Sequence, residues 1–324
     1  MPYTALKILI ALKSDNLEID KKIYDIRLTG MLRKRVSGGE IKMVKIAAVQ
    51  MSIKCWEPEK NIQKALQLSE EAFKKDAEIL CFPEEFITGP VRGKVEKFAQ
   101  PIPGRYTDIF SKLALEYNAY IIMGSMVERE NGKYYNTSVV ISPQGNILGK
   151  YRKIFLWHPE KDYIERGREI PVFKTKFGTI GVEICWDLAF PEITRELALK
   201  GADIVFCPSF WSEGDNPLYK QFGFSTESIF IDSCVAARAF ENELAFVFVN
   251  GCGPWQLQEY SDKLVGHTQI ALPFYGAIAK MDDKEGVLVK DIDLSICTKA
   301  RNVYSIVNDL KNSMKPEFRR YSVI

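Results

Sequence analysis

An α/β domain built in layers is what the chain predicts from Met43 onward, on three observations. Short apolar runs alternate with segments whose apolar residues recur at helical spacing. Glycine and proline punctuate the boundaries between them. The 324 residues, 46% hydrophobic and 27% charged, are enough to bury a substantial core in one large domain.

The elements follow in order. Val44–Gln50 is an apolar run of strand character. Trp56-Glu57-Pro58 opens a helix, proline suiting a first turn, and Ile62, Ala65, Leu66, Ser69, Ala72 and Phe73 continue it at helical spacing. Ile79–Phe82 is a buried strand stopped by Pro83, and Tyr106–Tyr117 a helix with Ile109, Phe110, Leu113 and Ala114 on one face. Ala119–Met126 and Tyr135–Ile141 read as strands, and turn chemistry at Pro143-Gln144-Gly145-Asn146 leads into Ile147–Lys153. Phe173–Phe177 and Thr179–Ile184 form a hairpin about Gly178, and Ala189–Lys200 a helix stopped at Gly201. Ile204–Cys207 is a buried strand, Leu218–Phe240 a long helix and Ala245–Asn250 a strand. Gly276–Met281 and Gly286–Asp291 close the sheet region before a C-terminal tail.

The first 42 residues carry none of this pattern, and are expected to be an N-terminal extension to a domain at 43–324. Met43 reads as a plausible true start, since Gly38-Gly39-Glu40 needs G-rich codons just upstream, as a ribosome-binding site would be. A terminal arm packed on the domain or on a partner subunit is the alternative.

Charge and cysteine usage bound the function classes. Forty-four basic residues against 42 acidic ones disfavour a broad nucleic-acid or polybasic membrane surface. No apolar run approaches the roughly 20 residues that span a bilayer, and Leu6–Leu12 is interrupted by Lys7, which makes a weak secretory signal. Seven cysteines, mostly inside apolar runs, point to a reducing, cytoplasmic setting.

Three strand ends carry reactive side chains. Cys185 follows Ile180–Ile184 and precedes Trp186-Asp187 at a strand-to-helix elbow, which favours a thiolate near backbone N–H groups; a buried structural cysteine is the commoner fate of such a residue. Glu84, in Phe82-Pro83-Glu84-Glu85, is presented at a sheet edge or is an ordinary loop carboxylate. Lys153, before Ile154-Phe155-Leu156-Trp157, is a snorkelling surface residue or a cation set into a pocket.

Together, Phe-Pro-Glu, Tyr-Arg-Lys and Ile-Cys-Trp-Asp, each at the end of a strand and in this order, resemble the Glu-Lys-Cys signature of the nitrilase superfamily. The resemblance runs from about Met43 to the C-terminal region and includes Val49-Gln50, the turn at Gly145, and Arg238 with Glu241-Asn242. It implies a four-layer αββα sandwich with the active site where strand ends of two sheets meet. By the same resemblance, Cys185 attacks an amide carbonyl to form a thioester. Lys153 stabilises the oxyanion and lowers the thiol pKa, while Glu84 relays protons. Glu160, in Glu160–Gly167, matches a supporting glutamate that orients Lys153 and the substrate nitrogen; a solvated loop glutamate is the alternative. No cofactor is implied, and a homo-oligomer, dimer or larger, is expected.

Competing chemistry finds less support. A Cys–His dyad would need His158 or His267, the only histidines in the chain. No CxxC pair or HExxH gives a metal site its spacing, and Gly251-Cys252-Gly253 reads as a tight turn without a dinucleotide fingerprint. Trp157, Trp186, Phe190 and Trp211 are the candidate substrate-binding residues, with Phe210 beside them, suggesting a hydrophobic pocket; each alone is as well read as core. Nitrile-cleaving relatives tend to carry Cys-Trp-Glu, so Cys-Trp-Asp is more similar to the amidase and N-carbamoyl amine hydrolase branches. The expected substrate is therefore a small amide or ureido compound, with a nitrile as the nearest alternative. A non-catalytic interaction module on the same fold is the reading from another class.

Overall fold

The computed structural model describes residues 43–313, and the readings of residues 1–42 lie outside them. Two mixed β-sheets stack face to face with helices on their outer sides. The first sheet runs in the order β15-β1-β2-β3-β5-β4, with β6 also paired to β5. Its strands are β1 (Met43–Gln50), β2 (Ile79–Cys81), β3 (Tyr120–Ile122), β4 (Met126–Glu130), β5 (Lys133–Ile141), β6 (Ile147–Arg152) and β15 (Gly286–Asp293). The second runs β14-β13-β10-β9-β8-β7. It comprises β7 (Val172–Thr175), β8 (Gly178–Val182), β9 (Ile204–Ser209), β10 (Ala245–Asn250), β13 (Gln269–Leu272) and β14 (Gly276–Lys280).

Strand alternation builds the layers. Val44, Ile46 and Ala48 of β1 join the core shared with the second sheet, whereas Ala47 and Val49 turn to the outer helices. Those helices are α1 (Pro58–Phe73), which lays Ile62, Ala65, Leu68 and Ala72 on the first sheet, and α3 (Arg105–Tyr117), which adds Phe110 and Leu113; a single turn, α2 (Val95–Phe98), lies between them. On the second sheet, α4 (Pro191–Leu199) buries Ile193 and Leu197, and α5 (Thr226–Glu241) buries Ile231 and Val235. This is the expected α/β, four-layer αββα arrangement.

Several boundaries differ from the sequence reading, each for a local reason. The expected helix Leu218–Phe240 begins only at Thr226, because Gly223 adopts φ 70° and Ser225 caps the helix by accepting the Ser228 N–H. The expected strand Ala119–Met126 is cut at Gly124 (φ 50°), so that Met126 starts a new strand antiparallel to β5. The expected helix Ala189–Lys200 starts at Pro191, behind a 3-10 turn over Cys185–Ala189. Gly251–Gly253 is not an isolated turn but the entry to a hairpin, β11 (Cys252–Leu257) and β12 (Tyr260–Val265). The described part of the expected C-terminal tail forms α6 (Ser295–Val303) and α7 (Ile306–Ser313), residues 314–324 lying outside the described residues, and the buried Glu243 carboxylate accepts the Ile306 and Val307 N–H groups at the start of α7.

Gly124 also fixes the loop after β2. A Cβ there would lie 2.0 Å from the Pro83 carbonyl oxygen and 2.8 Å from that of Phe82, backbone atoms that cannot step aside. Gly124→Ala is therefore expected to cost at least about 2 kcal/mol, about 1 from the left-handed conformation and the rest from overpacking. An unshifted urea midpoint would contradict this.

Candidate active site

The end of β2, the end of β6 and the elbow after β8 converge on one cavity of about 370 Å³, lined by Glu84, Lys153, Glu160 and Cys185 among others. A larger open groove, about 880 Å³, runs between residues 53–57 and the β11–β12 hairpin but contains none of these four side chains. Lys153 is 1% exposed, and its Nζ donates to Glu84 Oε1 and to Glu160 Oε2, both at 2.7 Å. The choice left open for Lys153 thus falls to the pocket cation rather than the surface snorkel. Glu160 is held by the Trp157 N–H (2.7 Å) in a 3-10 turn over His158–Asp162, so it is not a solvated loop glutamate.

Asn136, in the middle of β5, was not singled out in the sequence. Its Nδ2 donates to Glu84 Oε1 (2.8 Å) and Glu160 Oε1 (2.7 Å), bridging both carboxylates across the ammonium. The available signal was an amide inside a strand whose far half is wholly buried. Glu84 is completed by the Phe210 N–H, which donates to Oε2 at 2.8 Å.

Cys185 has φ 48°, a left-handed conformation unusual for a residue with a side chain, and opens the 3-10 turn whose first N–H groups have no partner within the turn. The elbow is fixed by Asp187. Its Oδ2 accepts from the Tyr151 hydroxyl (2.7 Å) and the Ile184 N–H (2.9 Å), and its Oδ1 from the Phe155 N–H (2.8 Å), tying the elbow to the chain on both sides of Lys153. Asp187 is fully buried and does not line the cavity, so its difference from glutamate would act on the shape of the elbow and not by touching substrate.

Burial sets the protonation states. It pushes the Cys185 thiol well above its ordinary value, Glu84 adds to that, and Lys153 and the Phe210 N–H oppose it without winning. Lys153 acts on the thiol in the expected direction, lowering its pKa, but burial outweighs it. Glu84 is raised by burial; the Lys153 ammonium pulls it down, Glu160 pushes it up, and the Cys185 thiol lies close enough to hydrogen-bond it. For Lys153, burial would lower the pKa, but the Glu160 and Glu84 carboxylates outweigh it and hold the ammonium charged. The resting arrangement is a protonated thiol beside a carboxyl group of raised pKa and a fixed cation.

Of the aromatic candidates, Trp157, Trp186 and Trp211 line the cavity, as does Phe210. Phe190 does not: it stacks on Phe155 at 3.6 Å between ring centroids and meets Trp186 edge-on at 6.1 Å, so it braces the wall from behind. The hairpin adds Trp255 and Tyr260 to the lining, and Glu85 and Asp215 bring acid into a pocket expected to be hydrophobic. Neither histidine lines it; His267 Nδ1 lies 3.2 Å from Asp232 Oδ1 instead, which removes the Cys–His dyad. Among the described residues, no helix is long and apolar enough to cross a membrane.

Comparison with known proteins gives the same frame. The carbon-nitrogen hydrolase family model matches residues 45–302. A Pyrococcus abyssi protein named nitrilase is 34% identical over 285 residues, covering 86% of this chain and 99% of its own. A Xenopus laevis omega-amidase is 30% identical over 263 residues, covering 78% of this chain and 90% of its own. The crystal structure of a Helicobacter pylori carbon-nitrogen hydrolase superposes with a TM-score of 0.75 at 25% identity, covering 86% of this chain and 98% of that one.

Proposed function

The chain belongs to the carbon–nitrogen hydrolase family of the nitrilase superfamily, enzymes of non-peptide C–N bonds, and from that premise we propose that it cleaves a small amide or N-carbamoyl amine through a Cys185 thioester. The observation that carries this is Lys153 Nζ, 2.7 Å from both Glu84 and Glu160, in the cavity that Cys185 also lines.

The chemistry follows from what each group can do. As the Cys185 sulfur attacks the carbonyl carbon, its proton passes to Glu84, because a raised thiol pKa requires a base at the moment of attack. Lys153 donates to the oxygen on which negative charge develops, an interaction strongest in a water-poor site. Protonated Glu84 then delivers its proton to the departing nitrogen, the C–N bond breaks, and ammonia or amine leaves the thioester. Water attacks the thioester, Glu84 takes its proton, and the sulfur is released as the thiol. The sum is amide plus water to carboxylic acid plus ammonia. Glu160 and Asn136 act as positioning residues, holding Lys153 and Glu84 in register.

Only ionised Glu84 can accept the thiol proton, so kcat/KM is expected to rise with pH through a midpoint above the ordinary glutamate value of 4.5. A midpoint at or below 4.5 would count against Glu84 as the base. The reading as a whole is tested with matched amides, ureido acids and nitriles. Ammonia and acid from an amide, with an acyl-enzyme trapped at Cys185 by mass spectrometry and no reaction of the matched nitrile, is the expected result. The Pyrococcus abyssi relative's name keeps nitrile hydrolysis as the second reading, and turnover of the nitrile alone would establish it. Assembly into a homo-oligomer belongs to the same proposal and is read by light scattering.

A further inference from the structure

The cavity holds more acid than this chemistry uses. Glu84, Lys153 and Glu160 satisfy one another, whereas Glu85 and Asp215 line the same space without an ion-pair partner among the described residues; burial pushes the Glu85 carboxyl up, and Lys153 opposes this only from a distance. Glu85 is 4% exposed, and its Oε1 has no hydrogen-bond partner, although its backbone N–H is fixed by Ser125 Oγ at 3.0 Å. Asp215 receives one hydrogen bond, from the Ser212 N–H to Oδ2 at 2.9 Å, and no described lysine or arginine pairs with it. The only other basic residue on the wall is Arg92, largely exposed and already paired with Asp162 at 2.9 Å.

The remaining wall near Asp215 is aromatic. Trp211 lies 5.7 Å from Trp186 between ring centroids, and Tyr260 lies 5.3 Å from Trp255. A carboxylate and aromatic rings that line one cavity both attract a cation, the first by charge and the second through the ring quadrupoles. Asp215 also sits within electrostatic reach of Glu84 and Cys185, so a group bound to it belongs to the molecule whose carbonyl meets the sulfur.

We propose that the substrate carries a cationic nitrogen at the end remote from its scissile bond, and that Asp215 with the surrounding aromatic rings binds that cation. The assignment rests on the hydrolase reading above and narrows its substrate class to amides of short amino-terminated chains. Burial holds the Asp215 carboxyl up at about 7, the state of an acid waiting for a counter-charge. Glu85 supplies a further acceptor within the same cavity. A substrate ending in a carboxylate would meet Asp215 as a like charge above about pH 7 and as an uncharged acid below it, in neither case with an unpaired cation on the described wall to bind it.

Three chains of equal length separate the possibilities: 5-aminopentanamide, hexanamide and glutaramate. Wild-type kcat/KM is expected to be highest for the ammonium compound, by about tenfold over the neutral one, and lowest for the carboxylate. Asp215→Asn keeps an acceptor for the Ser212 N–H and is expected to lower the ammonium-to-neutral ratio by about tenfold, a ratio that does not depend on how much protein is folded. Equal rates, preference for glutaramate, or an unchanged ratio in Asp215→Asn would overturn the cation site and leave the hydrolase reading standing. Calorimetry with Cys185→Ala supplies the converse. Ammonium-selective binding with no wild-type turnover of any of the three would uphold the cation site and overturn the hydrolase reading.

Discussion

Cys185→Ala is expected to reduce kcat by about 10⁵-fold or more, the scale on which removing a nucleophile falls when acid, base and oxyanion donors act as one unit. The expectation is specific because, among the described residues lining the cavity, the one hydroxyl nucleophile of serine type is Ser212, on the aromatic wall, and no second thiol or imidazole joins Glu84 and Lys153 there. The protein should remain folded. Cys185 is buried at a cavity edge, and the elbow is held by Asp187 through three hydrogen bonds that do not involve the thiol. Its left-handed φ is no more strained with alanine than with cysteine. Circular dichroism and the urea midpoint should therefore match wild type within about 1 kcal/mol, while ammonia release falls to background. Residual turnover above about 1% of wild type would move the nucleophile elsewhere, and loss of the fold would make Cys185 a structural thiol. Alkylation offers an independent reading: iodoacetamide should label Cys185 slowly at neutral pH, since burial and Glu84 keep it protonated, and faster as pH rises.

Much of this was legible in the sequence, and what was not has physical causes. Glu84 and Cys185 are legible because each follows a short strand of mostly apolar, buried residues, and such runs announce buried strands locally, whereas Lys153 ends a mixed strand and is legible only through the order of the three motifs. Asn136 could not be weighted, because its value lies in reaching two carboxylates contributed by segments 52 and 24 residues away. Asp215 lies between the expected strand Ile204–Cys207 and the expected helix Leu218–Phe240, in a stretch with no periodic pattern that folds as a 3-10 turn over Glu213–Asp215. The hairpin that brings Trp255 and Tyr260 to the cavity was lost for a similar reason. Gly253, Pro254 and Gln256 interrupt the first strand and Ser261, Asp262 and Lys263 the second, so no apolar run marks them. Phe190 is close to Cys185 in the chain, yet its ring stacks on Phe155 and does not line the cavity. Sequence distance places a residue near a site but does not say which way its side chain points.

Lys153→Met is expected to act on both rate and stability, and the two effects separate its roles. Methionine matches the length and apolar stem of lysine, so packing is largely conserved and what is removed is the charge. In the native cavity that charge stands against Glu84 and Glu160, both buried, with Asn136 as their other shared donor. Without it two carboxylates face each other in a site that excludes water, and breaking a buried pair from one side costs about 3–5 kcal/mol. Turnover should fall by about 10³-fold, because the donor to the developing oxyanion is gone. The pH dependence fixes the cause. Glu84 is already raised by burial, and Lys153 is what pulls it back; in the variant its folded pKa climbs further above the unfolded value. A group raised in the folded state stabilises that state when protonated and loses the contribution as pH rises through the folded pKa. The deficit of Lys153→Met relative to wild type should therefore be smaller at pH 5 than at pH 8, read from paired urea titrations. A deficit that does not change with pH would mean that the ammonium is not what balances these carboxylates. A stability loss with wild-type turnover would leave Lys153 structural and return the oxyanion to backbone donors alone.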